Sequence, residues 1–214
     1  MFWKDYSINN QATKSYGENR SRVLQQVKAA VKKGLYPEIL TDFDKEIERG
    51  TADLPQINIP APEIDFLWSS NPKAKKLSDY KGKVIVLDFW ATWCGPCMAS
   101  VPEMNALKKY YEGKPVIILG VTSIQGRHVE DEKVTETENN PNLEIKLLKE
   151  LLANKEMSWN FAVSKQDVFN SDYRVGGIPF MAIIDARGIV RFNGIQAGGT
   201  PIQKKIRMID SLLK

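Results

Sequence analysis

Cys94 and Cys97 are the only two cysteines in the chain of 214 residues, and their three-residue spacing sets the first chemistry to consider. They close the segment Asp88-Phe89-Trp90-Ala91-Thr92-Trp93-Cys94-Gly95-Pro96-Cys97, where an apolar, β-branched run gives way to a helical pattern. The first N–H groups of a helix lack intrahelical partners, and the helix dipole adds positive potential there. A thiolate at that spot is stabilised, which predicts a Cys94 pKa below the ~8.5 of a free thiol. The thiolate is the attacking species in disulfide exchange. Cys97, one turn further on, is placed to attack a mixed disulfide on Cys94 and release the reduced cargo. Gly95 and Pro96 read as permitting a tight entry into the helix, because proline loses little by lacking an N–H in the first turn. A redox-active Cys94–Cys97 pair is the whole expected cofactor complement.

Competing readings of the pair are weaker. Free cysteines often fill cores, but this pair sits at a strand–helix junction beside Trp93. A closed zinc site needs four ligands, and the single histidine, His128, falls in a distant polar stretch read as a loop. No metal site is predicted. One cysteine pair is also not the multi-bridge framework of a small secreted scaffold. The net charge is +4, with 30 basic and 26 acidic side chains. The lysine clusters (Lys32-Lys33, Lys73 with Lys75-Lys76, Lys108-Lys109, Lys204-Lys205) read as solvated faces, and no basic stripe interleaved with aromatics marks a nucleic-acid groove. The N-terminus has no apolar h-region and no run is long enough to span a bilayer, so the chain reads as soluble, with any membrane tether belonging to a segment outside it.

The elements that must position the cysteines follow from periodicity. Residues 1–56 read as an N-terminal helical extension, with one helix over Arg20–Lys33 and another opening at Pro37. Residues 57–214 read as the main domain, entered through an extended segment that Pro55, Pro60 and Pro62 enforce. Ile64–Trp68 reads as a short strand, and Val84–Trp90 and Val116–Thr122 as central strands covered on both faces. One helix is expected from Gly95 to Tyr111, a polar loop or lid over 123–141, and then an amphipathic helix carrying Leu143, Leu147, Leu148, Leu151 and Leu152. Trp159–Val163 reads as a strand, and Phe180–Asp185 with Ile189–Phe192 as an antiparallel hairpin. A last helix, capped by Thr200, turns Ile202, Ile206, Ile209 and Leu213 inward. This order predicts an α/β fold with a mixed central sheet and helices on both faces.

Trp93-Cys94-Gly95-Pro96-Cys97 is identical to the thioredoxin active-site motif, and the wider pattern resembles the TlpA/ResA-like family of thioredoxin-fold thiol–disulfide oxidoreductases. The further matches are Leu77–Lys83, Phe89–Trp93, Val101-Pro102-Glu103 and Val175-Gly176-Gly177-Ile178-Pro179 with the hairpin after it, covering roughly residues 60–214. The resemblance implies a thioredoxin-like fold and a cis peptide bond before Pro179, which would set the Ile178 backbone beside Cys94 to receive an incoming chain as an added strand. It also implies that Asp88 is a buried carboxylate with a raised pKa, suited to move the Cys97 proton. Trp93, Gly95, Pro96, Ile178 and Pro179 become the candidate substrate-binding residues. Three departures are plain, one of them the acidic stretch from Glu130-Asp131-Glu132 to Glu138, which is long for a plain thioredoxin and reads as a solvated loop or a substrate-selecting lid. Ser100 stands where many members carry glutamate, and Val116–Thr122 lacks the lysine that thioredoxins place opposite the aspartate.

These readings converge on reduction of protein disulfides through a mixed disulfide on Cys94, with disulfide-containing or dithiol proteins as substrates and an upstream thiol reductant as donor. By the family likeness the setting is periplasmic or otherwise extracytoplasmic. A thiol peroxidase would need threonine or serine where Ala91 stands. The alternative from another class is a non-catalytic thioredoxin-fold binding module or a copper chaperone using Cys94, Cys97 and a methionine or His128.

Overall fold

The computed structural model describes residues 57–213. The expected helices at Arg20–Lys33 and from Pro37 lie outside the described residues. In chain order, β1 (Ile59–Pro60) and β2 (Phe66–Ser69) precede a 3-10 helix (Leu77–Tyr80). Next come β3 (Val84–Phe89), the short α1 (Gly95–Ala99), α2 (Val101–Tyr110) and β4 (Val116–Ser123). A hairpin of β5 (Arg127–Glu130) and β6 (Lys133–Glu136) leads to α3 (Pro141–Asn154). The chain finishes with β7 (Asn160–Ser164), β8 (Phe180–Ile184), β9 (Ile189–Ile195) and α4 (Ile202–Asp210).

Seven strands form one sheet in the order β1-β9-β8-β3-β4-β7-β2. The β3–β4 and β4–β7 pairs are parallel, whereas β8 runs antiparallel to β3 and β9 antiparallel to β8. The mixed sheet is as predicted, and so is the continuous apolar character of its middle: all six residues of β3 are buried. Alternate β3 residues feed two cores. Val84 and Val86 join Met104 and Leu107 of α2, Leu148 and Leu151 of α3 and Ile209 of α4. Ile85, Leu87 and Phe89 join Leu77 and Tyr80 of the 3-10 helix with Val168, Tyr173 and Val175.

Both faces are therefore covered, but by unequal means. All four described α-helices lie against the first core, and the second is closed by the 3-10 helix and the segment around 168–175. The connections explain this. Strands β3, β4 and β7 are added in one direction, and successive right-handed parallel crossovers then place their helices on the same side.

Three local expectations change. The single helix expected from Gly95 to Tyr111 is two, ending at Ser100 and restarting at Val101. Pro102, in the first turn of α2, has no N–H to continue α1, and its ring would collide with the carbonyl four residues back. The polar stretch 123–141 contains the β5–β6 hairpin rather than a plain loop, with Asp131 and Glu132 both at positive φ in its two-residue turn. The last helix is preceded by Pro201 without a side-chain cap, and Leu213 lies past its end.

Gly120 on β4 pairs with Asp88 on one side and Phe161 on the other. A Cβ there would stand 2.6 Å from two ring atoms of Phe161 and 3.1 Å from the Trp159 indole nitrogen. The missing side chain makes the room those rings occupy. Gly120→Ala is therefore expected to destabilise the fold by about 1–3 kcal/mol through overpacking, read as a lowered denaturant midpoint with an unchanged m-value.

Candidate active site

Strand β3 delivers the chain to the edge of the sheet at Phe89, and five residues later α1 begins. Cys94 is its N-cap, and its Sγ accepts the Cys97 N–H at 3.2 Å. The sulfur thus occupies the place where an N-cap side chain normally satisfies an unpaired helix donor. Cys94 and Cys97 are joined as a disulfide, with their Cα atoms 5.2 Å apart. Both residues are largely buried, so the site is reached past exposed Gly95 and Pro96. A Cβ at Gly95 would meet nothing within 4 Å. Steric need for a tight entry is thus not what this glycine answers, and it leaves the surface beside the disulfide open.

Asp88 is the next-to-last residue of β3, 4% exposed, and in the strand's alternation it shares a face with Val84 and Val86 of the cysteine-bearing core. Its Oδ1 has no hydrogen-bond donor among the described residues. Phe161, which occupies the space over Gly120, packs edge-on against Trp90 and tilted against Trp159. Burial raises its pKa from 3.8 to about 7, and the positive charge of Lys205 pulls it partly back. A carboxyl poised there exchanges a proton at neutral pH, which is what a general acid–base group requires.

Lys205 is the functional residue that sequence reasoning misplaced. Read with Lys204 as a solvated face, it is completely buried, and its ammonium donates to Glu103 of α2 and to the Ala197 carbonyl. The lysine that β4 lacks is supplied from α4. Its spacing was the available signal, because Ile202, Lys205, Ile206 and Ile209 form one helical stripe.

Ser100, at the position of the family's glutamate, is buried and donates its hydroxyl to the Cys97 carbonyl at 2.7 Å. It closes the end of α1 instead of supplying an acid. The Ile178–Pro179 peptide bond is cis, and Ile178 packs against both cores.

Trp93 packs against the core cluster that holds both cysteines. Its indole N–H donates to Gln125 at 3.2 Å, its ring stacks with Phe169 at 6.3 Å, and the Arg127 guanidinium lies 5.5 Å from the ring centre. The hairpin that carries Arg127 is fastened to this site. Val129 N–H donates to the Thr92 hydroxyl, and buried Glu144 accepts from Gln125 N–H, Gly126 N–H and the Thr137 hydroxyl. His128, expected in an exposed loop, is instead 2% exposed on β5 with neither ring nitrogen hydrogen-bonded among the described residues. Burial holds it below the ordinary histidine range, against weaker opposing pulls from Glu130, Glu144 and Glu150. Among the described residues, no three His, Cys, Asp or Glu side chains gather as a metal site would require.

Residues 56–206 match the family model for Redoxin. Among curated proteins, the chain is 31% identical over 116 residues to the thiol-disulfide oxidoreductase ResA of Geobacillus kaustophilus, covering 54% of this chain and 56% of that one. It is 28% identical over 132 residues to the thioredoxin-like protein YneN of Bacillus subtilis, covering 61% and 66%. The alignments thus span less than two thirds of these relatives. Among solved structures, the thioredoxin domain of a thiol-disulfide oxidoreductase from Bacteroides vulgatus superposes with a TM-score of 0.53 at 18% identity, covering 73% of this chain and 99% of that one. The fold is thioredoxin-like, and the likeness to ResA read from the motifs agrees with these relatives.

The Asp88 pKa has a consequence for stability with a definite sign. Between about pH 4 and 7 the folded chain keeps a proton that the unfolded chain has released, because its pKa is about 7 folded and 3.8 in its ordinary state. Stability therefore falls as pH rises through that window, by on the order of 4 kcal/mol for this group, and levels off above it. Denaturant titrations of the oxidised protein from pH 4 to 8 should show the slope, and Asp88→Asn should remove it.

Proposed function

Because the chain belongs to the Redoxin family, we propose that it is a thiol–disulfide oxidoreductase that reduces protein disulfides through Cys94 and Cys97. The observation carrying this reading is the Cys94–Cys97 disulfide at the start of a helix, with the Cys94 sulfur taking the helix N–H. In the reduced form the same N–H and the helix end favour the thiolate. That thiolate attacks one sulfur of a substrate disulfide, a Cys94–substrate bond forms, and the other substrate sulfur leaves as a thiolate. Cys97 then gives up its proton and attacks the Cys94 sulfur. The Cys94–Cys97 bond re-forms, and the second substrate thiol departs. The substrate has gained two electrons and the enzyme pair has lost them, to be restored by an upstream thiol reductant.

Asp88 is the group that takes the Cys97 proton in this scheme, directly or through water, and Lys205 sets how readily it does so. The cis Ile178–Pro179 bond, with Trp93, Gly95 and Pro96, frames the approach of the substrate chain. No cofactor other than the cysteine pair is required. The TlpA/ResA resemblance supports work outside the cytoplasm. A copper-carrying role that used His128 gains no support, because no group of three His, Cys, Asp or Glu side chains gathers among the described residues.

Turnover decides between enzyme and carrier. Reduced protein should accelerate insulin disulfide reduction, and Cys94→Ser should abolish it. Cys97→Ser should accumulate substrate-linked adducts that disappear in the Cys94→Ser/Cys97→Ser double variant. Stoichiometric copper binding without turnover would establish the carrier instead. Alkylation of the reduced protein should also titrate Cys94 well below the ~8.5 of a free thiol; a value at or above that would remove the basis of the mechanism.

A further inference from the structure

We infer that Arg127, with Phe169 and Trp93, forms a docking surface that selects protein disulfides carrying an acidic side chain next to the reactive cysteine. This rests on the oxidoreductase reading above and adds a substrate class to it. Trp93 immediately precedes Cys94 and packs against the cluster that holds both cysteines, so a chain crossing its ring passes close to the disulfide. On that ring sit a stacked, exposed Phe169 and an exposed guanidinium.

Two of the acids on the hairpin are engaged elsewhere. Asp131 pairs with Lys155 and Glu130 receives the Asn154 amide, which ties these acids to α3. Glu136 is opposite Arg127 in the strand register, yet no carboxylate among the described residues makes an ion pair with the guanidinium. Arginine offers planar N–H pairs that match a carboxylate. Here they stand at the rim of the site on a strand fixed by the Thr92 and Glu144 hydrogen bonds. A flat aromatic pair with a fixed cation suits a substrate segment that lays a side chain on the rings and presents a carboxylate at the edge.

The test uses two disulfide-linked peptides identical but for Asp or Lys beside the cysteine, with kcat/KM measured for each and the full chain as enzyme. The wild type should prefer the acidic peptide by about three- to fivefold, the scale of an exposed charge pair, and added salt should shrink the preference. Arg127→Ala should bring the ratio near one, Arg127→Glu should invert it, and Arg127→Lys should retain part of it. The ratio within one variant is insensitive to a general loss of folded enzyme. Equal ratios in wild type and Arg127→Ala would overturn the proposal. Reduction of 2-hydroxyethyl disulfide keeps the two readings apart: if the wild type fails on this small uncharged disulfide as well, the oxidoreductase reading itself fails.

Discussion

One hydrogen bond organises the site: the Cys97 N–H directed at the Cys94 sulfur at the start of α1. An N-cap is usually an oxygen. Here a sulfur takes the position, so the residue that ends the loop after β3 is also the residue that reacts. The geometry requires that β3 stop at Phe89 and that α1 begin within a few residues, and the fully buried strand secures the first condition. The break at Ser100 follows from the second, because α1 is a short piece that holds the cysteine pair while α2, started afresh by Pro102, packs Met104 and Leu107 into the core. Positioning and packing are thus divided between two helices.

Asp88 and Lys205 form a polar arrangement in an apolar layer. Burial in such a layer disfavours the charged form of a carboxyl and raises its pKa. Lys205 moderates this, and Glu103 and the Ala197 carbonyl hold its ammonium in turn. Gly120 is part of the same solution. With no side chain opposite Asp88, Phe161 and Trp159 close the space that a strand lysine would otherwise enter, and the cation arrives from the helix side.

The legible parts of the sequence were those where local chemistry and tertiary role agree. The runs Val84–Phe89 and Val116–Val121 and the β8–β9 hairpin announced themselves because buried strands need β-branched apolar residues. The cysteine pair, Asp88 and Pro179 were legible from the motifs around them. The β5–β6 hairpin was not, because its turn is Asp131-Glu132, with none of the glycine or asparagine that usually marks positive φ. His128 and Glu144 were hidden for a related reason: polar residues in a polar stretch give no sign that they are buried until the helix and hairpin are set together. Lys205 was hidden by its neighbour, since a lysine pair reads as surface although one member shares the stripe of Ile202 and Ile209.

The place of Lys205 in the chain has a consequence for the order in which the protein becomes competent. Asp88, Gly120 and Phe161 all come well before it in the chain, and the cation that lowers the Asp88 pKa arrives only with α4. During synthesis, therefore, Asp88 and both cysteines are made before that counter-charge exists. A helix made after the reacting atoms thus completes the electrostatics around Asp88.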